Sequence, residues 1–146
     1  MVSSGNKNIL SGTSTFSYDY VPVFELKLCP HISQIKEYIE EITQEKYEYC
    51  FINFYKNGKE YIGYHSDKEA DKSSVISISL GATRKFRFRK KGDKKGYEYE
   101  FDMQSGDVLW MLGPNKNNNY ISCQDIYNHS VPVQKKINRP RINITF

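Results

Sequence analysis

The hydrophobic period of the chain changes twice, and each change marks an element. Ile32, Ile35, Ile39 and Ile42 recur at three- and four-residue spacing, with Lys36, Glu37, Glu40 and Glu41 on the other face. That spacing predicts an amphipathic helix opened by Pro30, its isoleucine stripe packed into the core. From Tyr47 the period falls to two. Tyr49 to Tyr55 reads as a strand closed by a turn at Lys56-Asn57-Gly58-Lys59. Val75 to Leu80 alternates apolar and small polar residues until Gly81-Ala82-Thr83 breaks it. Arg84 to Arg89 then sets Phe86 and Phe88 on one face against Arg87 and Arg89 on the other. A turn at 92–96 returns the chain as Tyr97 to Phe101, followed by Asp107 to Leu112, a polar loop at 115–119, and two last strands over Tyr127 to Val131 and Arg141 to Phe146.

Ahead of the helix, Phe16 to Leu28 alternates aromatic and aliphatic residues with polar ones and is expected to include a strand, while residues 1–15, rich in Ser, Gly, Asn and Thr, read as a flexible N-terminal arm. One helix and seven or eight short strands joined by hairpin turns predict a mainly β fold with a flanking helix, a double-sheet barrel or jelly roll (double-stranded β-helix), over residues 16–146.

Composition narrows this picture. A chain of 146 residues with 26% charged and 38% hydrophobic side chains forms one globular domain. It has no apolar run of about 18 residues, the length a membrane helix needs. Its first residues lack the apolar stretch of a secretion signal. Cys29, Cys50 and Cys123 are odd in number and scattered, which predicts reduced thiols in an intracellular compartment, nucleus or cytoplasm. A monomer is expected. Twelve Tyr and eight Phe suit strands, and some suit stacking on bases. The net charge of +4 is modest, but eight cations crowd into the twelve residues from Arg84 to Lys95. Such a patch matches a phosphate backbone; the plainer alternative is a solvated basic hairpin.

The candidate chemistry centres on Tyr61 to Glu69. His65 and Asp67 stand two residues apart, so on an extended strand both side chains reach one point in space. Two histidines and one carboxylate on a single face hold a ferrous ion and leave three coordination positions open. Only His31 and His129 remain to complete such a set. His31 sits beside the helix start, outside the sheet pattern; His129 lies on a late strand that a jelly roll brings beside an early one. Arg141 shares a strand face with Asn143 and Thr145. A guanidinium turned inward there makes sense as a fork onto a carboxylate, and one turned outward is an ordinary edge-strand residue.

Five ordered blocks carry a resemblance. Ile52-Asn53-x-Tyr55-x-x-Gly58, Tyr64-His65-Ser66-Asp67-x-Glu69, Ser77-x-Ser79-x-Gly81-Ala82-x-Arg84-x-Phe86, His129-Ser130-Val131-Pro132 and Pro140-Arg141-Ile142-Asn143-Ile144-Thr145-Phe146 together resemble the AlkB family, in particular its eukaryotic DNA-repair-type members. The resemblance implies an enzyme that uses Fe(II), O2 and 2-oxoglutarate. It would demethylate N-alkylated bases of the 1-methyladenine or 3-methylcytosine type in DNA or RNA, releasing formaldehyde, succinate and carbon dioxide. Its partner would be single-stranded nucleic acid or a base flipped from a duplex. It further implies that His65, Asp67 and His129 bind iron, that Arg141 holds the distal carboxylate of 2-oxoglutarate, and that Asn53, Tyr55 and Asn143 complete that pocket through hydrogen bonds. Glu69 would read the base edge, Tyr18, with Phe16 and Tyr20 nearby, would supply a stacking ring, and Arg84 and the residues after it would lie along the nucleic-acid backbone. The family strand runs on to a second Arg one residue past Phe146, where this sequence stops, and the N-terminal region is short. These departures imply a shortened sequence or weaker cosubstrate binding, with part of the nucleotide lid missing. A protein hydroxylase of the same fold and a non-catalytic nucleic-acid-binding relative are the alternative readings.

Overall fold

The computed structural model describes residues 7–12, 23–67, 70, 73–114 and 121–146. The predicted helix is α1 (Pro30–Thr43), opened by Pro30 in its first turn, where the missing N–H costs nothing, and closed by Gln44 in the left-handed conformation at φ 58°. Strands β1 (Lys7–Gly12) and β2 (Val23–Phe24) precede it. After it come β3 (Tyr49–Tyr55), β4 (Ile62–His65), β5 (Val75–Gly81), β6 (Arg84–Lys90), β7 (Tyr99–Met103), β8 (Val108–Met111), a short helix α2 (Cys123–Ile126), β9 (Tyr127–Val131) and β10 (Arg141–Thr145).

Two sheets result. One has the order β2-β1-β3-β10-β5-β8 and the other β4-β9-β6-β7, the two layers of a jelly roll. The interleaving of early and late strands is what carries distant sequence into one site. β10 lies between β3 and β5, and β9 lies between β4 and β6.

Alternation along the strands gives the larger sheet two different faces. On the outer face Cys50, Ile76 and Ile144 form a core with Ile39 of α1, Tyr47 and Phe146, and Ile32, Ile35, Ile52 and Ile78 pack against it. Each isoleucine buried there contributes about 1.5–3 kcal/mol. Ile42, expected in this stripe, is instead 53% exposed. It stands at the margin of the apolar arc, in the last turn before Gln44 stops the helix. On the inner face Tyr55, Val75 and Met111 meet Phe86, Phe88, Met103 and Val131 of the smaller sheet.

One expectation needs correction. Of the stretch read as a loose arm, residues 7–12 form β1, which pairs antiparallel with β3 from Lys7↔Phe54 to Gly12↔Tyr49. Backbone pairing along an open strand edge asks little of side-chain identity, so polar composition did not reveal it. The rest of that arm and residues 16–22 lie outside the described residues; within the stretch from Phe16 to Leu28, expected to include a strand, Val23–Phe24 form β2 and Leu26–Leu28 a 3-10 turn. Among the described residues no helix is long and apolar enough to cross a membrane.

Candidate metal centre

His65 and His129 are direct partners across the β4–β9 ladder. The register shifts between Ile62 and His65. Residues three apart on a regular strand face opposite ways, yet Ile62 packs on the inner core and the ring of His65 lies 4.3 Å from that of His129. The irregularity re-aims His65 inward, a use of bulges found beside active sites. Tyr64 is thereby turned the other way, where the Arg89 guanidinium lies 3.8 Å from its ring centre.

Asp67, two residues past His65, brings its carboxylate between the imidazoles. Its Oδ1 is 3.6 Å from His65 Nε2 and its Oδ2 is 3.4 Å from His129 Nε2. One ligand atom from each residue lies within 4.8 Å of the others, so the three could hold a metal ion. His65 Nδ1 lies 2.8 Å from the Gly63 carbonyl. With the proton on Nδ1 donated there, the Nε2 lone pair is left for a cation. His129 is 5% exposed, its ring stacked 5.3 Å from that of Phe86. Burial, and then neighbouring His65, push its pKa down to about 3, so it is neutral at physiological pH, as a ligand must be.

A second polar group stands on the inner face of the larger sheet. Register places Arg141 opposite Tyr55, and Asn143 opposite both Asn53 and Ser79. Arg141 is 1% exposed. Its Nη2 donates to Ser79 Oγ at 2.9 Å, while Nε and Nη1 are buried without a partner. Its guanidinium carbon lies 5.2 Å from the ring centre of Tyr55, and that of Arg84 lies 5.5 Å from the same ring. Burial lowers the Arg141 pKa, with the Tyr55 phenol opposing, and burial pushes the Tyr55 hydroxyl up to about 12 against the pull of both arginines. A buried cation with two idle donors is costly unless an anion completes it. This donor set fits a carboxylate. Asn53 Oδ1 is likewise buried and unpartnered. Asn143 differs from expectation: its amide nitrogen donates to Ser77 Oγ at 2.8 Å and to the Ile78 carbonyl at 2.9 Å, and Thr145 Oγ1 donates to its oxygen at 3.2 Å. Both of its amide hydrogens are spent on ordering the sheet.

Arg84 is corrected outright. It is 1% exposed and donates to Gln134 Oε1 and to the carbonyls of Asn57, Glu60 and Pro132, pinning the loop before β10 to the turn after β3. It shares the inward parity of Phe86 and Phe88, a signal that was present in the alternation. Gly58 serves the same junction, for a Cβ there would lie 2.0 Å from the Gln134 carbonyl oxygen. The rest of the basic cluster is also thinner than its sequence suggests. Lys85 and Arg87 both pair with Glu100 on β7, and Lys90 lies 3.5 Å from Glu98. Lys91, Lys94 and Lys95 are exposed in the turn. Glu69, Tyr18, Phe16 and Tyr20 lie outside the described residues, and His31 is exposed at the start of α1, away from the metal cluster. One residue the pattern did not single out is Gln124 on α2, whose amide oxygen accepts from the Asp67 N–H at 2.9 Å.

A jelly roll that brings together two histidines from paired strands and an aspartate just past the end of one of them has the frame of a non-haem iron(II) oxygenase. The family model described as the 2OG-Fe(II) oxygenase superfamily matches residues 7–146, and the chain belongs to that superfamily. It is 30% identical over 142 residues to the DNA oxidative demethylase ALKBH2 of Homo sapiens, an alignment covering 90% of this chain and 51% of that protein. It is 32% identical over 127 residues to the alpha-ketoglutarate-dependent dioxygenase alkB homolog 3 of Bos taurus, covering 80% of this chain and 42% of that one. The chain thus spans about half the length of the curated relatives it matches. Among solved structures it is similar to that of OsALKBH1, with a TM-score of 0.53 and 21% identity, covering 86% of this chain and 65% of the other, which speaks to the fold.

Proposed function

We propose that this chain is an iron(II)- and 2-oxoglutarate-dependent dioxygenase that demethylates N-alkylated bases of the 1-methyladenine or 3-methylcytosine type in single-stranded or flipped-out DNA or RNA. The observation that carries the reading is the pairing of two incomplete sites on one interior. His65, Asp67 and His129 converge as a metal-ligand set. Arg141, touching the same core through Tyr55, holds two buried nitrogens with no partner. The names of relatives on both matched branches, a DNA oxidative demethylase and an alpha-ketoglutarate-dependent dioxygenase, favour the same chemistry.

Iron(II) held by the three ligands, together with 2-oxoglutarate and O2, supplies the oxidant that hydroxylates an N-methyl carbon; the resulting hemiaminal sheds formaldehyde and restores the base. The chain's own residues have separable tasks. His65 and His129 bind as neutral imidazoles and Asp67 as the anion, which balances half of the metal's charge. Arg141 forks onto the distal carboxylate of the keto acid and fixes its direction, with Tyr55 and Asn53 beside it. Glu69 and Tyr18 are assigned to the base, the one reading its edge and the other stacking on it. The exposed lysines of the β6–β7 turn face the backbone. Described cysteines that are all free suit a reducing compartment, nucleus or cytoplasm.

The test is formaldehyde and succinate release from single-stranded oligonucleotides bearing 1-methyladenine or 3-methylcytosine, with iron(II) and 2-oxoglutarate supplied. Turnover that Asp67→Ala abolishes supports the assignment. Turnover of peptides alone would make the chain a protein hydroxylase, and oligonucleotide binding with no succinate released would make it a binding module.

A further inference from the structure

The metal-ligand set is assembled from two chain segments, and something must hold them in register. β4 ends at His65, so Asp67 lies beyond the strand, where no ladder bond fixes it. The segment carrying His129 begins with α2, a single turn running directly into β9. Within that turn Ser122, 1% exposed, caps by accepting from the Gln124 N–H at 3.1 Å, and the Cys123 N–H donates to the Leu112 carbonyl at 2.9 Å. Gln124 is therefore anchored on its backbone. Its side chain is 5% exposed, and it crosses to the other segment, where Oε1 accepts from the Asp67 N–H.

The other end of the amide settles its orientation. Nε2 lies 3.5 Å from Met111 Sδ, a soft and weak acceptor, and only the oxygen end can receive the Asp67 N–H. A buried amide with so little return elsewhere is expensive if packing is its sole purpose. Its one strong bond goes to the backbone of the residue that supplies the anionic ligand. The Asp67 carbonyl is held in turn by the Ala70 N–H at 3.1 Å. Both backbone groups of Asp67 are thus engaged, which fixes the point from which its side chain directs the carboxylate between the imidazoles.

We infer that Gln124 is a positioning residue for the metal centre, acting through the backbone of Asp67 to place its carboxylate beside His65 and His129. This rests on reading those three residues as metal ligands. Removing the acceptor weakens metal binding without removing any ligand, and outer-shell partners of this kind are typically worth about 10- to 100-fold in affinity.

The experiment is titration of the full chain with Co(II), followed by its d–d absorption, with the melting temperature of the metal-free protein recorded in parallel. Gln124→Met keeps the length of the side chain and removes the acceptor. It is expected to weaken Co(II) binding by about 10- to 100-fold and to shift the d–d bands while the metal-free protein still folds. Gln124→Glu restores the acceptor and is expected to recover most of the affinity. Co(II) affinity and spectrum unchanged in Gln124→Met overturn the inference and leave the metal reading standing. A parent protein that binds no Co(II), indistinguishable from Asp67→Ala, sinks the metal reading and the inference with it. Should Gln124→Met fail to fold, Ser122→Ala decides: it loosens the turn that holds Gln124, so weakened Co(II) binding supports the role and unaltered binding overturns it.

Discussion

Two buried arginines flank one tyrosine ring, and their surroundings set them opposite tasks. The nitrogens of Arg84 donate to an amide oxygen and three carbonyls, all on half-buried residues. Arg84→Met removes all four bonds at once, and at a net contribution of about 0.5–1.5 kcal/mol for each the loss is about 3 kcal/mol or more. In a domain of this size that lowers Tm by roughly 6–12 °C. Arg141 satisfies only Nη2, on Ser79, and keeps two idle donors in the interior. Arg141→Met relieves an incompletely paired cation, so the cosubstrate-free protein should stay within about 1 kcal/mol of the parent or become more stable. The same change should weaken 2-oxoglutarate binding on the order of 100-fold, the usual consequence of truncating one member of a buried charge pair. Thermal melts of both variants, with and without 2-oxoglutarate, check the contrast. If Arg141→Met costs as much as Arg84→Met in the absence of cosubstrate, Arg141 is a structural residue and the carboxylate reading fails.

At the scale of elements, α1 is tied to the start of β3 by one carboxylate as well as by its isoleucines. Burial alone would raise the pKa of Glu40, but Lys36 at 2.6 Å, Lys46 at 2.9 Å and the Tyr47 N–H at 2.9 Å hold it at about 2. A depressed carboxylate contributes stability that is complete above its ordinary value of 4.5 and is lost as pH falls towards about 2. The stability gap between the parent and Glu40→Gln should thus be constant from neutral pH down to about 5 and close below that. Denaturant melts across this range measure it, and a gap independent of pH would refute the assignment. The helix, its stripe and most strands were legible because their periods are long and regular. Parity along β10 likewise placed Arg141, Asn143 and Thr145 on one face, and parity along β6 placed Arg84 with Phe86 and Phe88, although net charge drew it into the basic patch. What could not be read is what depends on pairing between distant segments. The His65↔His129 register, the irregularity that turns His65 inward, and the partnership of Gln124 with Asp67 leave no periodic trace in either strand. A turn as short as α2 is likewise below the length at which a helical period shows.

Across the whole molecule, charge decides how a polyanion would meet the site. The sequence holds eight cations between Arg84 and Lys95, but the fold withdraws several of them. Arg84 is buried, Lys85 and Arg87 are paired with Glu100, and Lys90 lies near Glu98. Lys91, Lys94 and Lys95 stand exposed at the tip of the β6–β7 hairpin. The Arg89–Tyr64 stack and the Tyr64 hydroxyl, which donates to the Gly96 carbonyl at 3.2 Å, hold that hairpin against the strand that carries His65. A backbone gripped by the tip is therefore held at a fixed offset from the metal centre. Each phosphate neutralised releases counterions, so binding of single strands weakens with salt at a slope of about 0.7 per contact. Replacing Lys91, Lys94 and Lys95 together by Ser should flatten the log–log salt dependence of oligonucleotide binding by about 2. Lys85→Ser, which removes a cation already neutralised by its neighbours, should leave the slope within error of the parent. Fluorescence anisotropy with a labelled single strand, titrated at several salt concentrations, separates the two. An equal change of slope in both variants would mean that the chain reads total charge rather than this hairpin tip, and the placement of the nucleic acid along β6–β7 would be wrong.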